Sequence, residues 1–225
     1  MHFTLLLPFL APALLANPLP SSQERNGNQE PDSSGGPASM PHISSVSYSG
    51  TGCPSSAPGV VRSGGFAEPA FRLGEFEARV PDGAQTEHCQ VHVQAAGASP
   101  GWQLGLESVT VRGHVVLDPG AAVDYYVTSF FSQDADRTVT IKGTIPNDGD
   151  GRLDRDVAST TRIPGSNIVW GPCTREGSGG DVGLLNVNFR VALQTGGGDK
   201  YAYFGRGGVD NALPAESWTY AWRRC

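Results

Sequence analysis

The sequence is poor in the features that mark a membrane span, a nucleic-acid partner or a familiar enzyme. After its first residues, none of its apolar runs reaches the roughly 18 residues that a spanning helix needs. It has no glycine-rich phosphate loop. Only 17% of its 225 residues are charged, the net charge is −6, and nearly all of the basic residues are arginines scattered singly. We therefore expect no nucleic-acid partner and no membrane span.

The first 16 residues are predicted to be a signal peptide. Their apolar stretch from Leu5 to Leu15 has the length of a signal-peptide core, and cleavage is expected after Ala16. Residues 17–44 are rich in Pro, Ser, Gly, Asn and Gln, which predicts a disordered arm, with a removable pro-segment as the alternative. Residues 45–225 then form one domain, which we expect to be a secreted, extracellular monomer.

Short strands, cut by Gly, Pro, Asn and Asp, dominate the domain. From Cys89 to Ala95 apolar and polar residues alternate, as in a strand with one face in water. The segment from Phe71 to Val80 alternates with a shift at Gly74, which predicts a β-bulge. Further strands are predicted at WQLGLESVTVRGHVVL, VDYYVTSFF, TVTIKGTI, NIVWGPC, LLNVNFRVAL and YAYFGRG. The fold class is all-β, an antiparallel β-sandwich with a jelly-roll-like layout as one arrangement.

Cysteine is scarce, and none of the four cysteines forms a CxxC pair. An even count behind a secretory leader predicts two disulfides among Cys53, Cys89, Cys173 and Cys225, with three pairings open. We favour Cys53 with Cys89 and Cys173 with Cys225, because each pair would tie an edge of the domain to a core strand. A catalytic thiol at Cys89, beside His88, is the competing interpretation. The even count and the inward position of Cys89 favour the disulfide.

The loop from Asp148 to Asp154 is the segment that suggests a metal. Asp148, Asp150 and Asp154 lie around glycines, and such carboxylates can supply oxygen ligands to Ca²⁺. In an EF-hand alignment, however, Pro146 and Val157 occupy the first and twelfth positions, so the opening carboxylate and the closing glutamate are missing. A solvated hairpin loop is the competing interpretation. No other cofactor is expected.

No catalytic residue is assigned from the sequence. Glu75 and Glu77 would lie about 7 Å apart on one face of a strand, a separation that resembles glycosidases in distance only. His88 and His92 would be about 13 Å apart on a strand, too far to share one metal ion. His114 is interpreted as a structural strand residue.

Aromatic residues are the remaining candidates for recognition, because they can stack on sugar rings or anchor a protein interface. Most should instead belong to the core, and we expect at least two of the four tryptophans to be buried. The residues concerned are Tyr125, Tyr126, Phe130, Phe131, Trp102, Trp170, Trp218 and Trp222.

Several segments carry a resemblance to a known family. They are SYSGTGCP at 47–54, HCQVHV at 88–93, PGWQLGLESVTVRGHVVLDPG at 100–120 and GPC at 171–173. On these segments the domain resembles a family of small secreted fungal domains of unknown function that are also found in some bacteria. The resemblance implies a fungal origin, secretion and an all-β fold with two disulfides. It implies no catalytic residues, and it suggests the interaction role of a secreted effector.

Three functional hypotheses follow. The first is a secreted, non-enzymatic binding protein, such as a fungal effector or virulence factor that acts on a host protein (for example a defence hydrolase) or on a glycan. The second is a secreted hydrolase that acts on polysaccharide or protein through carboxylates that the sequence does not identify. The third is a structural component of the cell wall. The lack of a recognisable catalytic set favours the first.

Overall fold

The computed structural model describes residues 35–208 and 210–225. These residues form twelve strands and two short 3-10 turns, and the strands pair antiparallel in two sheets that pack together. The predicted antiparallel β-sandwich is therefore confirmed. The predicted signal peptide and the first part of the predicted arm lie outside the described residues. The first strand begins at His42, three residues before the expected start of the domain.

The strands alternate buried and exposed residues over most of their length. In chain order they are β1 (His42–Ser49), β2 (Val60–Ser63), β3 (Ala70–Leu73), β4 (Ala78–Val80), β5 (Thr86–Ala96), β6 (Trp102–Leu117), β7 (Ala122–Phe131), β8 (Thr138–Pro146), β9 (Leu153–Arg162), β10 (Leu184–Gln194), β11 (Ala202–Gly205) and β12 (Ala215–Arg224). Turns of 3-10 helix occupy Ser132–Asp134 and Gly165–Asn167.

One sheet has five strands in the order β1-β5-β10-β7-β8. Its inward side chains include Cys89, Val91 and Val93 of β5, which are buried as the alternation predicts. The residues between them, such as Gln90 and His92, belong to the outward face. Because side chains alternate with a period of two, the register fixes which residues of neighbouring strands stand side by side on that face.

The other sheet has seven strands in the order β2-β3-β12-β6-β11-β4, and β9 also pairs with β6. Strand β6 is the strand around which this sheet is arranged, because it pairs with β9, β11 and β12. On one side of β6, β12 pairs with residues 102–112 of β6 and β11 pairs with residues 114–117 of β6. On the other side, β9 pairs with residues 108–117 of β6. Strand β12 therefore lies inside the sheet, between β3 and β6.

The predicted bulge at Gly74 is wrong. The backbone N–H of Gly74 donates to the carbonyl of Gly59 at 2.9 Å, and the chain turns there, so β3 ends at Leu73 and β4 starts anew at Ala78. A side chain at Gly74 would collide with the same carbonyl, with only 2.7 Å between Cβ and oxygen. The alternation on either side of Gly74 thus belongs to two separate strands.

Two other strand assignments differ from the structure. The segment NIVWGPC is not a strand, although Trp170 forms an isolated β-bridge with Gly105 of β6. Strand β9 was not predicted, because most of its residues are polar and exposed, and a sheet-edge strand of this kind lacks a buried apolar face.

Three phenylalanines join the two sheets in the centre of the core. Phe189 of β10 stacks on Phe76 with 4.9 Å between ring centroids, and Phe204 of β11 meets both rings nearly edge-on at 6.2 and 6.3 Å. All three rings are buried. Such aromatic pairs contribute about 0.5 to 1.5 kcal/mol each beyond the burial of their area.

Both disulfides have the pairing that was favoured from the sequence. Cys53 is bonded to Cys89, and Cys173 is bonded to Cys225. The first bond is fully buried and joins the turn after β1 to β5, whereas Cys225 of the second bond is exposed. The described residues contain no free cysteine, so the thiol interpretation of Cys89 is wrong.

Tyr125 closes one side of the sandwich. Its ring passes over Gly143 of β8, where any Cβ would overlap the ring. Its hydroxyl then lies 2.6 Å from Ser159 Oγ and 2.7 Å from Thr161 Oγ1, both on β9. The five-stranded sheet is thereby hydrogen-bonded through one side chain to the edge strand of the other sheet.

No helix among the described residues is long and apolar enough to cross a membrane.

Candidate functional site

The outward side of the five-stranded sheet carries a regular array of hydrogen-bonding side chains, which we name the polar face. Its members come from five neighbouring strands because every second residue of each strand points away from the core. They are Ser47 and Ser49 of β1, Gln90 and His92 of β5, Asn186, Asn188 and Arg190 of β10, Tyr126, Thr128 and Phe130 of β7, and Thr140 and Lys142 of β8.

One row of the polar face crosses four strands with amides and hydroxyls. Gln90, Asn188, Thr128 and Thr140 are direct neighbours in the register. The amide of Asn188 donates to Gln90 Oε1 at 3.3 Å, and the hydroxyls of Thr128 and Thr140 are 2.8 Å apart. Because these groups are only partly buried, they also offer donors and acceptors to a ligand.

Tyr126 lies in the next row between two cations. The guanidinium of Arg190 is 4.6 Å from the centre of its ring, and the ammonium of Lys142 is 5.7 Å away. Lys142 also contacts Asp124 Oδ2 at 2.8 Å. Burial by itself would raise the pKa of Asp124, but hydrogen bonds from Lys142 and Thr144 outweigh it and lower that pKa. The hydrogen bond to Asp124 raises the pKa of Lys142, so its ammonium group stays charged and is held beside the Tyr126 ring.

A groove of about 360 Å³ runs over this part of the polar face. Polar side chains and two aromatic rings line it together. The residues that line it are Gln90, Tyr126, Thr128, Phe130, Thr140, Asn188 and Arg190.

A chain of hydrogen bonds links three further residues at the β1 side of the polar face. Ser49 Oγ lies 3.0 Å from His92 Nε2, and His92 Nδ1 lies 2.6 Å from Asn186 Oδ1. Asn186 is 2% exposed, whereas Ser49 and His92 are half-buried. Sequence reasoning missed this set. The alternation placed His92 on the outward face, but the strand register is needed to bring Ser49 and Asn186 beside it.

The outward side of the seven-stranded sheet holds a second polar cluster, centred on His114 of β6. Its Nε2 lies 3.0 Å from Asp154 and its Nδ1 2.9 Å from Asp156, both on β9. A cavity of about 680 Å³ lies nearby and is bordered by Asp156, Arg72 and Arg112. Its lining is mixed in charge and rich in backbone and small apolar groups, so it does not select one class of ligand.

The predicted calcium ligands do not come together. Asp154, on β9, contacts His114 of β6, whereas Asp148 and Asp150 lie in the turn before β9. Asn147 shapes this turn, because its amide donates to the carbonyls of Leu117 and Gly151, each at 2.8 Å. In residues 35–208 and 210–225, no group of three or more His, Cys, Asp or Glu is arranged to hold a metal ion. The calcium site therefore stays a prediction, and the described residues contain no ligand cluster that would form it.

The glutamate pair considered for hydrolysis does not lie on a strand. Glu75 and Glu77 occupy the turn between β3 and β4. Glu77 lies near Tyr203 and Arg79, with the Tyr203 hydroxyl donating over 3.4 Å. Burial, followed by the charge of Glu77, raises the pKa of Tyr203 to about 12. The two carboxylates therefore have different surroundings and do not form a strand-face pair.

The aromatic expectations are largely met. Trp102 and Trp218 are buried, while Trp170 and Trp222 are half-buried, so the expectation of two buried tryptophans is confirmed. Tyr126 and Phe130 face outward, whereas their neighbours Tyr125 and Phe131 are in the core.

A buried carboxyl group was missed by sequence reasoning. Glu216 of β12 is fully buried; its Oε2 accepts a hydrogen bond from Trp218 Nε1 at 3.0 Å, and its Oε1 has no hydrogen-bond partner among the described residues. Burial raises the pKa of Glu216 to about 8. The hydroxyl of Tyr220 is also buried and has no partner within residues 35–208 and 210–225, and burial raises its pKa. The alternation of β12 could have placed Glu216 on the same inward face as Trp218.

Comparison with known proteins supports a family relationship. The profile described as "Domain of unknown function (DUF4360)" matches residues 39–225. An uncharacterized secreted protein of the fungus Arthroderma benhamiae is 27% identical over an alignment of 177 residues, with 76% of this chain and 67% of that protein covered. The resemblance stated above is thus supported for the whole domain, while its individual motifs stay predictions.

Two solved structures share a limited likeness of fold. TmCBM61, in complex with β-1,4-galactotriose, is 11% identical, with 81% of this chain and 90% of that chain covered and a TM-score of 0.23. The enzymatically active domain of tailspike protein 4 of bacteriophage CBA120 is 10% identical, with 80% of this chain and 19% of that chain covered and a TM-score of 0.21. TM-scores this low carry no functional argument.

Proposed function

Since the chain belongs to the DUF4360 family, a domain of unknown function, we propose from its own geometry that it is an extracellular domain that binds carbohydrate on the polar face. The observation that carries this proposal is the groove in which amide and hydroxyl side chains lie between Tyr126 and Phe130.

The composition of the polar face suits a sugar better than a protein. The centre of a protein interface is usually apolar and packed around buried anchors. Here the centre of the face is a row of amides and hydroxyls, in which Gln90, Asn188, Thr128 and Thr140 supply both donors and acceptors. A carbohydrate presents the complementary pattern, because each hydroxyl both donates and accepts.

Two aromatic residues flank that row. Tyr126 and Phe130 are four residues apart on β7, so their Cα atoms are about 13 Å apart along the strand. An aromatic ring contributes large contact area with little loss of conformational freedom, and the cations beside Tyr126 hold its ring in position. This spacing suits an oligosaccharide rather than a single sugar.

The extracellular location is part of the proposal. Two disulfides fit an oxidising compartment, and the Arthroderma benhamiae relative is described as secreted. An effector role on a host protein and a structural role in the cell wall stay hypotheses drawn from the sequence.

We expect the purified protein to bind at least one neutral cell-wall polysaccharide, and Tyr126→Ala to weaken that binding at least about tenfold, equivalent to about 1.4 kcal/mol. The loss follows from removing the ring that flanks the groove. Calorimetry on a panel of plant and fungal polysaccharides measures the effect.

A matched pair of arginines provides the control. Arg190 lies on the polar face and Arg72 on the outward side of the opposite sheet, and both are exposed. Arg190→Ala should weaken binding and Arg72→Ala should not. The proposal fails if no polysaccharide binds, or if the Tyr126 and Arg190 variants bind as tightly as the unchanged protein.

A further inference from the structure

We propose that Ser49, His92 and Asn186 form a catalytic triad that hydrolyses carboxylic esters at the β1 side of the polar face. This inference does not rest on carbohydrate binding, because it depends on a different set of contacts.

The three side chains meet in the order that nucleophilic catalysis requires. They come from the adjacent strands β1, β5 and β10, with 3.0 Å from Ser49 Oγ to His92 Nε2 and 2.6 Å from His92 Nδ1 to Asn186 Oδ1. A hydroxyl, an imidazole and an orienting amide or carboxylate recur in this arrangement on unrelated folds, so geometry identifies such a site rather than sequence position.

The hydrogen bonds of Asn186 fix the orientation of the imidazole proton. Its Nδ2 donates to Ser132 Oγ at 2.8 Å and to the carbonyl of Leu184 at 3.2 Å, so its Oδ1 must be the atom that faces His92. Oδ1 can only accept, and His92 Nδ1 therefore carries the hydrogen. When the ring holds one proton, Nε2 has a free lone pair directed at the hydroxyl of Ser49.

The position of each group suits its role. Asn186, which only orients the ring, is 2% exposed, whereas Ser49 and His92 are half-buried and reach solvent. Gln90 is the direct neighbour of Ser49 across the strands and also borders the 360 Å³ groove, so the nucleophile lies beside a cleft. A purely structural hydrogen-bond ladder would not require one buried end and one open end.

The reaction that these groups support proceeds in two balanced steps. Ser49 Oγ attacks the ester carbonyl carbon while His92 Nε2 takes the hydroxyl proton, and the bond to the alcohol oxygen breaks as His92 returns that proton to the leaving alcohol. Water, activated by the same nitrogen, then cleaves the acyl-Ser49 bond, releases the carboxylic acid and restores the hydroxyl. The N–H groups of Gly50 and Thr51 follow the nucleophile in sequence, where acyl-transfer sites commonly provide the oxyanion donor.

Carboxylic esters are the substrate class that fits this site. Its nucleophile is half-buried on the outward face of the sheet, beside the 360 Å³ groove. An ester has a better leaving group than an amide and therefore makes less demand on the positioning of the substrate. A small acyl group can reach Ser49 from the solvent side.

The test uses the full-length secreted protein with p-nitrophenyl acetate as substrate and a fluorophosphonate as covalent probe. We expect hydrolysis above the protein-free rate, labelling of the Ser49 peptide in mass spectrometry, and at least a hundredfold loss of rate in Ser49→Ala and His92→Ala, on the order seen for triad removal. Ser45→Ala is the matched control, because Ser45 lies on the same strand, is exposed, and pairs with Gln94 rather than with His92. It should keep both the rate and the label.

The results also separate the two proposals of this structure. Ser49→Ala should keep polysaccharide binding, and Tyr126→Ala should keep the fluorophosphonate label. The triad is overturned if the unchanged protein hydrolyses no faster than buffer, if the label is found on another residue, or if Ser49→Ala keeps the rate. The labelling experiment uses no variant, so a variant that fails to fold does not leave the question open.

Asn186 is a positioning residue, and its contribution can be distinguished from stability. Asn186→Ala should lower kcat with KM nearly unchanged, and Asn186→Asp, which keeps an acceptor at the same place, should restore part of kcat with an altered pH profile. Equal losses in both variants, in proportion to their lowered thermal stability, would contradict this role.

Discussion

Raising the pH from 5 to 8 should lower the free energy of unfolding by roughly 3 to 4 kcal/mol through Glu216 alone. The pKa of this carboxyl group is raised from 4.5 to about 8 by complete burial. In the unfolded chain the same group loses its proton near pH 4.5. The unfolded state is therefore stabilised by ionisation across an interval in which the folded state must hold a neutral acid.

The direction of the effect follows from proton counts. Between pH 4.5 and 8 the folded protein binds the Glu216 proton and the unfolded protein does not, so stability falls as the pH rises. The stabilisation is fully present below the unfolded pKa and is lost as the pH passes through the folded one. Asp118 and Asp124, whose pKa values are lowered in the folded state, act in the opposite direction and only in more acidic solution.

The variant Glu216→Gln isolates this contribution, because a neutral amide of the same shape does not titrate. We expect it to be more stable than the unchanged protein at pH 8 by roughly 3 to 4 kcal/mol and close to it at pH 5. Guanidinium unfolding at several pH values measures the difference.

Glu75→Gln, at an exposed turn position, is the control and should leave the dependence of the free energy of unfolding on pH unchanged. If Glu216→Gln and the unchanged protein show parallel pH profiles, the burial of a neutral Glu216 is wrong.

Removing the buried disulfide with the double variant Cys53→Ala, Cys89→Ala should cost about 4 kcal/mol of stability. The bond closes a loop with a sequence separation of 36 residues, and restricting a loop of that size in the unfolded chain accounts for about 4 kcal/mol in the chain-entropy description. Both cysteines are completely buried, so the lost sulfur atoms also leave unfilled volume.

The second disulfide provides a matched comparison. Cys173 and Cys225 are 52 residues apart, so the entropic effect is similar, but Cys225 is exposed and its loss leaves no enclosed cavity. Denaturant unfolding should therefore show that Cys173→Ala, Cys225→Ala costs less than the buried pair. A cost below about 1 kcal/mol for the Cys53 and Cys89 variant would contradict the expectation.

Alternation alone was sufficient to predict the sandwich. The segment from Cys89 to Ala95 has a clear apolar face, and it is an inner strand of the five-stranded sheet. The cysteine pairing was favoured because each pair would tie an edge of the domain to a core strand, and the apolar face of Cys89 to Ala95 marks such a strand. Where one face of a strand is buried, a period of two is enough to identify it.

The candidate site could not be predicted in the same way. Ser49 and His92 are 43 residues apart, and His92 and Asn186 are 94 apart, so no local spacing relates them. Their proximity depends on which strands are neighbours and on the register between them. Strand β9 was missed for a related reason, since its polar residues reflect an edge position that only the assembled sheet defines.

The interior position of β12 also constrains how the domain is made. Synthesis proceeds from the N-terminus, so β3 and β6 exist long before the strand that must be inserted between them. Until then, both expose an unpaired edge, and Phe71 of β3 lacks the Trp218 ring against which it later packs. Such distant pairing folds slowly. We therefore expect the nascent chain to pass through an aggregation-prone stage that ends only when its last described strand has emerged, and its folding should depend on chaperones that protect that stage.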